Sequence, residues 1–153
     1  MQVRAYNPDD FAALYEIEEM CFQPAFRFSR SYMKELLGKP NSAGWIAEVE
    51  GVMAGFAIVE WTKEPNGISA YIDTIEVAAS FRRRGLGSAL LAKCEELARD
   101  AGADVLWLHV EDGNTGAASL YQSHGFVCLG MEEHFYASGR NALVNRKVLM
   151  RQR

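Results

Sequence analysis

The residues Arg82-Arg83-Arg84-Gly85-Leu86-Gly87 combine three cations with two glycines where the pattern changes from strand to helix. Tyr71-Ile72-Asp73-Thr74-Ile75-Glu76-Val77 precedes them as a strand-like run, and Ser88 to Ala101 follows as an amphipathic stretch. A strand that turns through glycines into a helix N-terminus gathers free backbone N–H groups and the positive end of the helix dipole. The chemistry this predicts is binding of a phosphate or pyrophosphate, with glycines where a β-carbon would block close backbone approach. Two other phosphate loops are excluded. A G-x-x-x-x-G-K-[ST] loop needs a lysine after its last glycine, and Ser88 follows Gly87. A G-x-G-x-x-G fingerprint needs a third glycine where Leu90 stands.

The elements that must hold this loop follow from periodicity and punctuation. Val3 to Tyr6 reads as a first strand. Asn7 as N-cap, Pro8 at the first helical position and Asp9 and Asp10 in the first turn predict a helix. Its face carries Phe11, Leu14, Tyr15, Glu18 and Phe22, with only Glu18 breaking the apolar stripe. Gln23-Pro24 ends it, and Ser29 caps a second helix that runs through Leu37 to Gly38. Gly44 to Glu50 alternates with Trp45, Ala47 and Val49 on one face, Glu50-Gly51 signals a hairpin, and Met53 to Trp61 is its partner. After the turn Pro65-Asn66-Gly67, a strand over 69–77 leads into the glycine loop. The next helix has a stripe of Leu90, Leu91, Cys94, Leu97, Ala98 and Ala101, with Gly102 as its stop. Val105 to Val110 reads as a buried central strand. Asn114 caps a short helix to His124, and Phe126–Met131 and Ala142–Met150 close the sheet. With no repeats or linkers, the chain reads as a single domain over 1–153, in an α+β order with a mixed sheet.

The hexad R-x-x-G-x-G resembles the pyrophosphate loop of the GNAT acetyltransferase superfamily. A second segment, Asn114-Thr115-Gly116-Ala117-Ala118-Ser119-Leu120-Tyr121-Gln122-Ser123-His124-Gly125-Phe126, resembles the N-x-x-A-x-x-L-Y-x-x-x-G-F stretch of its RimI-like N-terminal acetyltransferases. The resemblance covers essentially the whole chain. It implies the GNAT fold: a mixed sheet of about seven strands flanked by about four helices, with a bulged fourth strand splayed from the fifth. The cleft would accept the pantetheine arm of acetyl-CoA, the implied cosubstrate. Backbone groups of Ile75 and Val77 would pair with pantetheine amides, and Arg82, Arg83, Arg84, Gly85, Leu86, Gly87 and Ser88 would wrap the pyrophosphate. Asn114 would contact the cofactor, and Tyr121 would point at its sulfur as general acid or donor to the thiolate. A phenol with a pKa of about 10 suits a thiol of about 8.5.

Amide formation also needs a neutral amine. Bacterial RimI enzymes have a glutamate where His109 stands. Histidine there, with a tyrosine at the position of Tyr71, is similar to the NatE catalytic subunit, and implies Tyr71 and His109 as the base pair. Histidine titrates near neutrality, and an α-amine has a pKa of about 7.7–8.0, so no large shift is required. Glu76 on the same strand is the competing base. Alternation puts it on the face opposite Tyr71 and Asp73 unless a bulge changes the register. The aromatic loop with Phe26 and Phe28 resembles the segment that shapes the acceptor site. Tyr136 matches the second of two adjacent tyrosines that hold a peptide backbone, the first being Phe135 here.

Composition narrows the classes further. The chain has 153 residues, 49% hydrophobic, and a net charge of −4. A nucleic-acid binder is more often basic. Three cysteines and three histidines show no metal-ligand spacing, and sparse thiols suit a reducing cytoplasm. No run approaches the ~18 apolar residues of a membrane span. Cys94, mid-helix, is poorly placed as a nucleophile. The expectation is a cytoplasmic N-acetyltransferase with no nucleic-acid or membrane partner, a possible homodimer, acting by direct attack in a ternary complex. Its acceptor would be a protein or peptide N-terminus. A small-amine acetyltransferase and a non-catalytic CoA-binding regulator are the alternatives.

Overall fold

The structure is a computed structural model that describes residues 1–136 and 139–149. Met150, the expected end of the last strand, lies outside the described residues. The strands are β1 (Gln2–Ala5), β2 (Ser42–Val49), β3 (Val52–Glu64), β4 (Gly67–Val77), β5 (Val105–Glu111), β6 (Val127–Glu132) and β7 (Ala142–Val148). The helices are α1 (Phe11–Cys21), α2 (Arg30–Leu37), α3 (Leu86–Asp100) and α4 (Thr115–Ser123). One sheet takes the order β1-β2-β3-β4-β5-β7-β6. Among the described residues only the β4–β5 pair is parallel, so the sheet is mixed, as expected.

Local chemistry starts the helices where the sequence indicates. The Asn7 side chain accepts from Asp9 N–H at 3.0 Å, while the Asp10 carboxylate accepts from Asn7 N–H at 2.8 Å. This capping box closes a 3₁₀ turn over Pro8–Asp10, and the α-helix proper begins at Phe11. Ser29 Oγ accepts from Tyr32 N–H at 3.2 Å to start α2. On one face of the sheet, Phe11, Leu14, Tyr15 and Ile17 of α1 pack with Met33 and Leu36 of α2 over Ile46, Phe56 and Ile58. On the other, Leu86, Leu90, Leu91, Cys94 and Ala98 of α3 and Tyr121 of α4 cover Ala57, Val59, Ala70, Ile72, Leu106 and Leu108. Each large aliphatic chain buried this way contributes about 1.5–3 kcal/mol. With both faces covered, adjacent Ile46 and Ala47 are both fully buried, rather than a single alternating face. Conversely, β5 is not buried throughout. Leu106, Leu108 and Val110 are buried, but Trp107, His109 and Glu111 are only partly so, because the sheet opens on that side.

Two irregularities of β4 open it. First, Ile58 lies opposite Thr74 but Val59 lies opposite Ile72, so Asp73 is an extra, unpaired residue. This bulge shifts the alternation by one. Tyr71, opposite Glu60, and Glu76, opposite Phe56, therefore share the α1/α2 face. Simple alternation predicts opposite faces, and Asp73 is the reason it fails. Gly55 belongs to the same device, since a β-carbon there would lie 2.5 Å from the Glu76 carbonyl oxygen. Second, β4 and β5 pair only from Ser69–Val105 to Tyr71–Trp107. Beyond that point they diverge, as the splayed cleft requires. Among the described residues, no helix is long and apolar enough to cross a membrane.

Candidate active site

Three adjoining cavities follow the divergence of β4 and β5. The largest, about 610 Å³, lies at the N-terminus of α3 between Ile75 and Val77 on one side and Asn114 and Tyr121 on the other. Arg82, Arg83, Gly85, Leu86, Gly87 and Ser88 form its end wall. Gly85 is the N-cap residue at φ +80°, and among the described residues no side chain caps α3, so its first N–H groups are left to face a ligand. Arg83 also has a left-handed backbone, at φ +65°. Arg82 does not reach into open space. Its Nε donates to the Val77 carbonyl at 3.1 Å, tying the loop to the end of β4. Arg84 departs from the expected wrap. It is absent from the cavity wall, and its guanidinium lies 5.4 Å from the Phe81 ring centroid, where the ring face attracts the cation.

The middle cavity, about 170 Å³, connects this groove to the β5 side. Ile75, Asn114, Ala117 and Tyr121 are common to both. Asn114 Oδ1 accepts from Ala117 N–H at 3.2 Å, so it caps α4 while lining the two cavities. Tyr121 is buried and packs edge-on against Phe126. Burial raises its phenol well above 10, which makes it a weaker acid than its type suggests and keeps it protonated.

The outer cavity, about 320 Å³, adds Tyr32, Tyr71 and Phe135 to walls of Phe26, Phe28, Asp73, His109 and Tyr136 that it shares with the middle one. Burial, then Glu111, raises the Tyr136 phenol to about 12. Here the expected pair meets: Tyr71 Oη and His109 Nδ1 are 2.7 Å apart. Burial first, then Asp73, pushes the Tyr71 phenol up, so its hydroxyl keeps its proton, and the imidazole tautomer with its N–H on Nε2 makes Nδ1 the acceptor. That leaves His109 Nε2–H toward the Glu132 carboxylate, 3.5 Å away. Burial lowers the His109 pKa below 6.5, with Glu132 opposing, so the imidazole is neutral at pH 7. Phe135 stacks on the imidazole at 4.0 Å and 12°. The residue that departs from the paired tyrosines thus packs against His109.

Sequence gives Glu18 no role at the site beyond its break in an apolar stripe, and offers Glu76 as the competing base. Glu18 of α1 and Glu76 of β4 are both buried, and each acts on the other electrostatically. Glu18 also accepts from Phe28 N–H at 3.0 Å, and Thr74 Oγ1 donates to Glu76 at 2.7 Å. Burial, then Glu18, raises Glu76 well above the usual carboxylate range. A protonated, enclosed Glu76 is a poor base. The legible signal was Glu18 interrupting an apolar stripe. Cys94 is fully buried outside all three cavities, and its thiol is pushed up by burial.

Comparison with known proteins agrees with this geometry. The model of the Acetyltransferase (GNAT) family matches residues 11–126. The [ribosomal protein bS18]-alanine N-acetyltransferase of Escherichia coli K12 is 30% identical over 134 residues, covering 88% of this chain and 86% of that protein. The crystal structure of the ribosomal-protein-S18-alanine N-acetyltransferase from Escherichia coli superposes with a TM-score of 0.84, at 25% identity, over 99% of this chain and 96% of that one. Streptothricin acetyltransferase of Streptomyces lavendulae is 34% identical over 98 residues, 61% of this chain. The match spans only 51% of that relative's length.

Proposed function

Since this chain belongs to the GNAT acetyltransferase family, we propose that it moves an acetyl group from acetyl-CoA to a primary amine, a protein or peptide N-terminal α-amine, by direct attack in a ternary complex. Acetyl-CoA supplies the activated thioester. The uncapped start of α3, Gly85 and Gly87 fit its pyrophosphate, and the free edge of β4 beyond Tyr71 fits its pantetheine amides. Arg82, Arg83 and Ser88 add donors to that end of the groove.

The Tyr71–His109 hydrogen bond carries the proposal. The Tyr71 oxygen takes a proton from the acceptor ammonium as its own proton passes to Nδ1 of the neutral imidazole. The amine becomes a nucleophile while Tyr71 stays a phenol throughout, which suits its raised pKa. Tyr121, protonated and buried, donates a hydrogen bond to the departing sulfur. Phe26, Phe28 and Tyr136 line the acceptor side. No covalent acetyl-enzyme is invoked, consistent with the buried Cys94.

The whole chain acts as one catalytic domain in this reading, and free Cys21, Cys94 and Cys128 suit a cytoplasmic setting. The family resemblance also implies a homodimer, to be read by sedimentation. The likeness to streptothricin acetyltransferase favours a second acceptor class, small amines. Thiol release from acetyl-CoA against peptides with free and blocked N-termini and against small amines separates the two. Dependence on a free N-terminus supports the first, and release with small amines alone supports the second.

A further inference from the structure

Asp73 has no part in the proton transfer above, yet it is the bulged residue of β4 and lines both the middle and outer cavities beside His109 and Tyr136. Its Oδ2 is buried and accepts no hydrogen bond among the described residues. Lys39, the cation whose field reaches it, is paired with Glu60 at 3.3 Å. Arg27, the cation at the outer cavity, donates to the backbone carbonyls of Phe22 and Glu19. Burial keeps this carboxyl protonated in the empty site, because a carboxylate oxygen there without a donor is costly; an arriving ammonium supplies the donor, and the carboxyl releases its proton to solvent as the ion pair forms. Phe28, Tyr32, Tyr71 and Tyr136 surround the same space, and aromatic faces attract cations. At about 320 Å³ the cavity is at the small end of ligand sites, with room for a side chain.

We propose that Asp73 selects acceptors that carry a second ammonium group beside the reacting amine, by receiving that second cation in the outer cavity. Its partner is not the reacting amine, because a carboxylate paired with that group would hold its proton on and oppose attack. A second amine of the lysine kind, with a pKa near 10.4, stays charged while the first is deprotonated at Tyr71–His109. The substrate class is diamines and peptides whose first residue bears an ammonium. This inference rests on the acetyl-transfer reading.

Two peptides that differ only in lysine or norleucine at the first position isolate the cation from the chain that carries it. The expected wild-type kcat/KM is about tenfold or more higher for the lysyl peptide, mainly through KM. Asp73→Asn brings the ratio close to one. A wild-type ratio of one or less, or a ratio unchanged in Asp73→Asn, overturns the proposal. Calorimetric binding of the two peptides to the CoA-loaded protein decides it independently of turnover. Tighter binding of the lysyl peptide that is lost in Asp73→Asn supports the proposal, and equal affinities overturn it. Absence of acetyl transfer with any amine counts against the acetyl-transfer reading alone.

Discussion

Replacing Asp73 by asparagine shifts the stability of the free protein progressively in the variant's favour as pH rises. Burial first, then Glu60, with Lys39 opposing, raises this carboxyl from 3.8 to about 8. Between those values the folded chain keeps a proton that the unfolded chain releases. The group's contribution is therefore complete below about pH 4 and is lost as pH climbs to about 8. At 1.36 kcal/mol per unit, the loss between pH 5 and pH 8 is at most about 4 kcal/mol. Asparagine has no such proton. It leaves an unpartnered amide in the same place, a cost of about 1–3 kcal/mol that does not vary with pH. The other ionisable groups in this field or the outer cavity are Arg27, Tyr32, Glu60, Lys39, Tyr71, Cys94, His109 and Tyr136, and both proteins share them. Denaturant unfolding of the two proteins at pH 5, 6, 7 and 8 reads the difference. Their gap widens in favour of Asp73→Asn by up to about 4 kcal/mol, or about 8–16 °C in Tm for a chain of this size. A gap that stays within about 1 kcal/mol across this range refutes the reasoning, because Asp73 is then ionised and well hydrated in the fold.

Two further outcomes concern the transfer itself. Tyr121→Phe lowers kcat by about 10–100-fold while CoA affinity by calorimetry persists, as expected for a donor that acts on the departing sulfur. Unchanged turnover removes Tyr121 from the chemistry. His109→Ala loses about 10²–10⁴ in rate at pH 7, and the deficit shrinks toward pH 9, where an α-amine is neutral unaided. Wild-type activity rises with pH on a limb below 6.5, because burial holds the His109 pKa down and its neutral form must accept the proton. A constant ratio of mutant to wild type from pH 6 to pH 9 excludes His109 as the base.

The elements were legible because their signals are local. Asn7 and Ser29 cap their helices by their own side chains, and Glu50-Gly51 turns with both residues at positive φ. The phosphate loop was equally local: Gly85 adopts the φ that glycine tolerates, immediately before α3. Register was less accessible. One unpaired residue, Asp73, reverses the faces of everything after it in β4, and nothing in a two-residue alternation announces an extra residue. The Tyr71–His109 contact came from resemblance, since a span of 38 residues carries no periodic signal. Tertiary environment set the remainder. Burial holds protons on Tyr71, Tyr121 and Glu76, so free-residue acidities mislead, and the Phe81 ring draws Arg84 away from the groove.

The most direct test uses a peptide with one free α-amine and one internal lysine, incubated with acetyl-CoA and the purified chain. Thiol release is followed alongside mass-spectrometric location of the acetyl group. The account predicts release matched to acetylation at the α-amine, and none when that amine is blocked. Acetyl found on the lysine, with release indifferent to the blocked N-terminus, contradicts it.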